Sequence, residues 1–302
     1  MTTNNRVVSG TVTAALLLAI TYIAAHSFGK QDVLQRNVQP QFQVCLHSSA
    51  VDRYISGGVA GYGQYESDVS NIIKQCMRDN SRSTANGGGD TTTMIDIGAN
   101  IGVHSMYPAM MGAPVIAVEP SPENWPRIKK AAQLNKVVGK VRLLPYALGD
   151  KRETVTMTRP GHNMGDTHIV RDHIPSMGHT FNVTTLLLDD LIPLVHTRNV
   201  IVKMDVQAHE CYVIRGGLKF MDRFNVTTVI MEYGVPNKQD VQCRKDMHTA
   251  FKRRGYVPYF SGPAPPAKQV VIGNDYPGNV AWLRVGEWKE VDTEWKTQPG
   301  PG

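Results

Sequence analysis

The chain has 302 residues and a formal net charge of +6 at pH 7, and 41% of its residues are apolar. These values are ordinary for a globular protein that buries a sizeable core, and the length suits one large α/β domain or two small ones. The basic residues are scattered and no zinc-ligand spacing occurs, which argues against a nucleic-acid partner. The four cysteines are too few to define a disulfide scaffold.

An apolar stretch lies close to the N-terminus. Residues 7–25 contain no charged side chain and lie between Arg6 and Lys30. A helix of about 20 apolar residues crosses a bilayer, whereas the apolar region of a cleaved signal peptide has about 7–15 residues. We therefore predict a short flank at residues 1–6 and a transmembrane signal anchor at residues 7–25, in preference to a cleaved signal peptide. The charges on the two sides are balanced and leave the orientation open.

Two Asn-Xaa-Thr sequons bear on the location of the rest of the chain. They begin at Asn182 and Asn225, and such sequons are glycosylated only when they face a secretory lumen. Together with the anchor they favour a single-pass membrane protein of the secretory pathway whose globular part is lumenal.

After the anchor, the sequence pattern changes near residue 91 from a stem, a helix and a loop to alternating strands and helices. Residues 26–62 show little periodicity and are predicted to be a polar stem or linker. Apolar residues at helical spacing predict a helix over 68–78, and a loop with three consecutive glycines is predicted over 80–90. From there, short apolar runs typical of strands are found at 91–98, 115–120, 141–150, 200–206 and 226–233. Helix-like segments separate them at 103–111, 122–136, 208–221 and 238–254.

This alternation predicts a fold class. Continuous apolar strands that alternate with helices indicate an α/β fold with a parallel sheet covered on both faces. Two last strands, at residues 256–262 and 279–285, have no helical pattern between them and predict a terminal hairpin that adds an antiparallel strand at one edge. The predicted globular domain spans residues 63–290, and residues 291–302 are predicted to be a disordered tail.

The first two strands of the sheet end in residues suited to binding a nucleoside. The first strand ends in a glycine turn that runs from Asp96 to Gly102, and Asn100 stands where a dinucleotide fingerprint has its second glycine. The second strand ends in Glu119, which is placed to accept hydrogen bonds from two ribose hydroxyls. The 23 residues that separate Asp96 from Glu119 are close to the spacing of about 20 in such units. Turn, acid and spacing together predict an adenosine site.

Five segments of the chain follow one another in the order DIGANIGVHS, VIAVEPSPENW, YALGD, LLLDDL and VKMDVQAHE, and GQYES precedes them. Together they resemble the FkbM-type family of class I S-adenosylmethionine-dependent methyltransferases, over residues 63–232. The resemblance implies a Rossmann-like, mostly parallel sheet of seven strands and S-adenosylmethionine as cofactor. It also implies methylation of a hydroxyl group on a glycan or small hydroxylated molecule.

The resemblance assigns roles to residues of the cofactor side. Those that would line the methionine part of the cofactor are Asp96, Gly98, Asn100 and Gly102. Glu119 would hold the ribose, and the backbone near Tyr146 and Ala147 would border the adenine.

The acceptor side is predicted at the carboxyl end of the fourth strand. Methyl transfer to an alcohol is helped by a general base, and Asp205 or His209 is predicted to accept the proton. Glu210 and Glu232 are predicted to shape the acceptor site. The alternative is a structural ion network that Lys203 forms with Asp205 and Glu232, because buried charges are normally paired.

The acceptor segment departs from the family pattern Asp-Val-Glu-Gly-x-Glu. Gln207 removes a charge, and Ala208 restricts the turn. A catalytically inert binding module is therefore a competing interpretation, and a nicotinamide-dependent oxidoreductase is disfavoured by the missing GxGxxG.

The histidine-rich loop 159–180 is predicted to be a lid that faces the acceptor, and no metal site is predicted because its spacing matches no common ligand motif. Oligomeric state stays open.

Overall fold

The computed structural model describes residues 33–35, 41–48, 50–63, 65–85, 91–161, 163–170, 178–233, 241–260 and 278–285. Its strands are β1 Val33–Gln35, β2 Gln43–Cys45, β3 Thr92–Ile97, β4 Val115–Val118, β5 Val141–Leu144, β6 Ala147–Gly149, β7 Thr154–Arg159, β8 His168–Ile169, β9 His179–Leu187, β10 Asn199–Met204, β11 Asn225–Glu232, β12 Tyr256–Phe260 and β13 Asn279–Arg284. Its α-helices are α1 Ile55–Tyr62, α2 Ser67–Ala85, α3 Val103–Met110, α4 Trp125–Leu134, α5 Glu210–Arg215, α6 Leu218–Arg223 and α7 Val241–Arg253.

Seven strands form the main sheet in the order β12-β13-β11-β10-β3-β4-β5. The strands from β11 to β5 pair in parallel, whereas β13 is antiparallel to both of its neighbours. The predicted α/β fold, its mostly parallel sheet and the terminal hairpin are therefore confirmed. The predicted position of the antiparallel strand was wrong, because β13 lies between β11 and β12 and leaves β12 at the edge.

Helices cover both faces of this sheet, as the apolar runs indicated. Met94 of β3 packs in a core with α1, α2 and α3, whereas Ile95 and Ile97 pack in a second core with α5, α6 and α7. Alternate residues of a strand point to opposite faces, so a strand covered on both sides is buried along its whole length, as all six residues of β3 are. The site at the strand ends therefore stands on rigid, fully buried supports.

The segment that precedes the sheet is folded where it is described. Phe42, Val44 and Leu46 alternate inward along β2 and its flanks and pack with Ile55 and Val59 in the core beneath α3. The predicted stem of residues 26–62 was therefore wrong over residues 41–48 and 50–62, which pack against the globular domain. The loop predicted from residue 80 was also wrong at its start, because α2 continues to Ala85.

A smaller, four-stranded sheet in the order β6-β9-β7-β8 interrupts the alternation after β5. The predicted strand 141–150 divides into β5 and β6, and the predicted helix 208–221 divides into α5 and α6. The division falls at Gly216, where a Cβ would collide with the backbone carbonyl of Gly149 in β6. A Cys211–Cys243 disulfide joins α5 to α7, a pairing that the sequence left open.

The anchor and the tail were predicted at the two ends of the chain. Within the ranges that the structure describes, no helix has the length and apolar character to span a membrane. Residues 7–25 and 291–302 lie outside those ranges, so the anchor and the tail remain predictions.

Candidate functional site

A cleft opens at the carboxyl ends of β3, β4 and β10. The chain order reverses between β3 and β10, which is where open parallel sheets bind ligands. Most of the predicted site residues line the cleft, and these are Gly98, Asn100, Glu119, Tyr146, Ala147, Asp205 and His209. The cleft wall does not include the other predicted residues, Asp96, Gly102, Glu210 and Glu232.

The glycine turn after β3 brings two loops into contact. The Asp205 N–H donates to the Ile97 carbonyl at 3.0 Å. Gly98 has a φ of 72°, and a Cβ there would lie 3.0 Å from the carbonyl carbon of Asp205 and closer still to its oxygen. Only glycine fits such an approach at a positive φ. The turn therefore fixes the distance between the two walls of the cleft.

Asp96 lies beneath this turn rather than in the cleft. It is fully buried, and it accepts a hydrogen bond from Ser105 Oγ at 2.6 Å. Lys203 Nζ lies 3.6 Å from its other oxygen and donates to the Gly98 carbonyl at 3.1 Å. Burial alone would lower the pKa of Lys203, but the charges of Asp96 and Asp205 outweigh it and raise the pKa. The buried ion pair thus forms between Lys203 and Asp96 and supports the turn from below.

The Glu119 carboxylate is held by three donors. Oε2 accepts from the Asn100 N–H at 2.7 Å, and Oε1 accepts from the Ser121 N–H at 2.8 Å and from Asn124 Nδ2 at 3.0 Å. Burial raises the pKa of Glu119, and these donors oppose the rise. A carboxylate fixed in this way, at the cleft wall beside Asn100, is suited to accept hydrogen bonds from ligand hydroxyls.

On the opposite wall, one amide bridges two carboxylates. Gln207 Nε2 donates to Asp205 Oδ1 at 2.7 Å and to Glu232 Oε2 at 3.1 Å. Burial is the largest cause that raises the pKa of Asp205. Burial, followed by the charges of Asp205 and Glu66, raises the pKa of Glu232 to about 7. The predicted proton acceptor and Glu232 are thus brought together by the residue that departs from the family pattern.

The turn that carries Gln207 is built from unusual backbone. Gln207 and Ala208 have φ values of 54° and 65°, in the left-handed region that favours glycine. The Val206 N–H donates to Glu210 Oε1 at 3.1 Å, which ties the turn to the start of α5. Burial raises the pKa of Glu210 to about 7. Glu210 therefore holds the turn, and the expected restriction by Ala208 is visible as a left-handed alanine.

His209 lines the cleft on the same side as Asp205. Its ring stacks on Tyr212 with the ring centroids 4.5 Å apart. A Cβ on Gly149 would lie 3.2 Å from His209 Nε2, so the ring packs closely against β6. His209 is thereby held in place by packing from two elements.

A second polar group near β3 was not predicted. His104 Nε2 lies 3.2 Å from Glu66 Oε2, and Asn279 Nδ2 donates to Glu66 Oε1 at 3.4 Å. Burial would raise the pKa of Glu66, but the His104 hydrogen bond and charge outweigh it and lower the pKa to about 2. The only sequence signal was the GQYES segment, which carried no role.

The predicted lid is described in part. Met164, Gly165, Thr167 and Ile169 line the cleft, together with Met157 of β7. The lid therefore forms one wall of the cleft beside the predicted adenine region at Tyr146 and Ala147, rather than only the acceptor side. Across the residues described, no group of three His, Cys, Asp or Glu residues could hold a metal ion.

A comparison with protein families identifies the family of the chain. The family model of the methyltransferase FkbM domain matches residues 96–258, more than half of the chain. The chain therefore belongs to the FkbM methyltransferase family, and the predicted family is confirmed. No curated protein matches the sequence.

Solved structures that match this chain include the methyltransferase FkbM from Methylobacillus flagellatus KT, with 12% identity and a TM-score of 0.41 over 64% of this chain and 44% of that chain. A structure of WbdD matches with 12% identity and a TM-score of 0.45 over 79% of this chain and 45% of that chain. The precorrin-6y C5,15-methyltransferase from Geobacter metallireducens GS-15 matches with 13% identity and a TM-score of 0.33 over 65% of this chain and 81% of that chain. The chain thus spans less than half of the first two of these structures.

Proposed function

We propose that the chain is an S-adenosylmethionine-dependent methyltransferase that methylates a hydroxyl group of a glycan or small hydroxylated molecule. The observation that carries the proposal is the Glu119 carboxylate, fixed by three hydrogen bonds at the cleft wall next to the glycine turn. A carboxylate at the end of the second strand suits the two hydroxyls of a ribose. Family membership supports the same activity.

The residues of the cleft fit this cofactor. Glu119 would hold the ribose, and the turn over Gly98 and Asn100 would face the methionine part. The backbone of Tyr146 and Ala147, with the apolar side chain of Met157, would border the adenine. When bound, S-adenosylmethionine supplies an electrophilic methyl group, and the contribution of the protein is to place the acceptor oxygen in line with it.

Asp205 is the proposed general base. It lines the cleft, its Oδ1 is fixed by Gln207, and its Oδ2 is the atom we assign to the acceptor proton. A base works best when its pKa lies near the working pH, and burial shifts the pKa of Asp205 in that direction. Asp205 would take the proton of the acceptor oxygen as that oxygen bonds to the methyl carbon and the carbon–sulfur bond breaks. His209, on the same wall, is the alternative base.

The first test is cofactor binding. Calorimetric titration of the full chain in detergent with S-adenosylmethionine should give saturable binding, and NAD should give none. Glu119→Ala should abolish binding, whereas Glu153→Ala, which removes an exposed carboxylate, should leave it unchanged. Folded protein that does not bind would refute the proposal.

The second test separates an enzyme from an inert binding module. Methyl transfer from labelled S-adenosylmethionine would be measured against a panel of glycans and small polyols. Asp205→Asn should reduce turnover by about 10²-fold or more while cofactor affinity stays close to that of the parent. If His209→Ala and not Asp205→Asn abolished turnover, the base would be His209. Cofactor binding without transfer to any acceptor would favour the inert module.

We also propose that the protein is anchored through residues 7–25, with the catalytic domain in the secretory lumen. The Cys211–Cys243 disulfide is typical of an oxidising compartment. Asn182 is exposed, whereas Asn225 donates to Asn199 Oδ1 at 2.8 Å and is partly buried. Expression in a secretory cell should therefore give a glycosidase-sensitive shift that Asn182→Gln removes and Asn225→Gln does not. A protein that is never glycosylated would contradict this location.

A further inference from the structure

His47 connects the N-terminal segment, outside the residues matched by the family, to the cleft-lining Glu119 through Asn124. It follows β2 and is 6% exposed. Its backbone N–H donates to Ser56 Oγ at 3.0 Å, and Asp52 caps the start of α1 by accepting from the Ser56 N–H at 2.8 Å. Contacts with the start of α1 thus hold the backbone of His47 in place.

The same segment is fastened to both ends of α4. At the far end of α4, the Gln43 N–H donates to Asn135 Oδ1 at 2.8 Å and Asn135 Nδ2 donates to the Gln43 carbonyl at 2.7 Å. At the near end, His47 Nε2 lies 2.7 Å from Asn124 Oδ1. Only this second contact leads into the cofactor site.

Two contacts hold the Asn124 amide in one orientation, because Glu119 Oε1 takes its NH₂ group and His47 Nε2 takes its oxygen. Oδ1 is an acceptor, so His47 donates from Nε2, and the NH₂ group must then face the other way. There it donates to Glu119 Oε1 at 3.0 Å. A reversed amide would place an oxygen against the carboxylate and leave the His47 N–H without an acceptor. Such unpaired buried groups are costly.

We propose that His47 is a positioning residue for the cofactor, because it fixes the Asn124 amide and thereby holds the Glu119 carboxylate in the orientation that binds the ribose hydroxyls of S-adenosylmethionine. The inference rests on the proposed function. It makes the segment at residues 41–48 part of the cofactor site.

The test compares dissociation constants for the full chain. His47→Ala removes the donor, and His47→Phe removes it while keeping a buried ring. Each should weaken S-adenosylmethionine binding about fivefold to tenfold, the value of one buried hydrogen bond. His47→Gln carries an amide donor and should restore most of the affinity. Asn135→Ala breaks the other attachment of the same segment to α4 and should lower thermal stability without changing cofactor affinity.

A second readout isolates the ribose hydroxyls. Adenosine and 2′,3′-dideoxyadenosine would be titrated as competitors, and the ratio of their dissociation constants measures what the hydroxyls contribute. In both donor-free His47 variants this ratio should fall toward one, whereas a general loosening of the site would weaken both ligands equally and preserve the ratio. An unchanged ratio, or an Asn135→Ala variant that loses as much affinity as His47→Ala, would overturn the inference. If the parent protein failed to bind S-adenosylmethionine, the proposed function itself would fail.

Discussion

The close approach of the two loops at Gly98 can be tested by a single methyl group. In Gly98→Ala the new Cβ would meet the Asp205 carbonyl, which is backbone and cannot rotate away. Alanine at a positive φ costs about 1–2 kcal/mol, and forcing an extra carbon into packed surroundings costs about 1–3 kcal/mol. We expect the free energy of unfolding to fall by about 2–5 kcal/mol, the sum of these two costs.

Gly112→Ala is the matched control for this substitution. Gly112 also has a positive φ, of 89°, but a Cβ there has no atom within 4 Å. The two variants therefore share the backbone cost, and their difference of about 1–3 kcal/mol reports the steric contact alone. The assay is urea denaturation of both variants.

Cofactor binding by Gly98→Ala and Gly112→Ala gives a second measurement. Relief of the Gly98→Ala contact requires the loop of Asp205 to move away from β3, which would widen the cleft and weaken S-adenosylmethionine binding. Gly112→Ala should bind as the parent does. If Gly98→Ala were no less stable than Gly112→Ala, or kept full affinity, the loops would not need this approach and the reasoning would be refuted.

Three further predictions concern the turn and the helices around it. Ala208→Gly should raise the free energy of unfolding by about 0.5–1 kcal/mol in urea denaturation, because relief of the left-handed alanine exceeds the added chain entropy; a loss of stability would contradict this. Burial raises the folded pKa of Glu210 to about 7, so folded protein binds this proton more tightly than unfolded protein. The contribution of Glu210 to stability should therefore decline as pH rises from about 4.5 to 7. Glu210→Gln should flatten that decline in thermal scans across pH, and an unaltered profile would exclude Glu210 as its source. Cys211→Ser should lower the free energy of unfolding by roughly 3–4 kcal/mol, because the disulfide closes a loop between residues 32 apart. An unchanged urea midpoint would show that the bond is not formed.

The features that could be predicted from sequence were functional residues that directly follow a strand in the chain. The glycine turn and Glu119 directly follow β3 and β4, so a reading of local pattern places them at one edge of the sheet. The Asp205 segment follows β10 in the same way. The predicted ion network joined Lys203 to Asp205 and Glu232, whereas in the structure Lys203 pairs with Asp96 of the neighbouring β3.

Other parts of the site form through contacts between residues far apart in the chain. Glu66 meets Asn279 across 213 positions, and His47 meets Asn124 across 77. No local pattern encodes such pairs. The alternation of Phe42, Val44 and Leu46 was a usable signal of a strand, but its short length let the surrounding polar residues dominate the interpretation as a stem.

The placement of β13 has a consequence for biosynthesis. Because this strand fills the gap between β11 and β12, the main sheet cannot close until residue 284 has left the ribosome. Until then β11 offers an unpaired edge, and such edges attract other strands. Nascent chains of this protein should therefore depend on chaperones most strongly between the emergence of Glu232 and that of Arg284, and truncations before β13 should aggregate rather than fold.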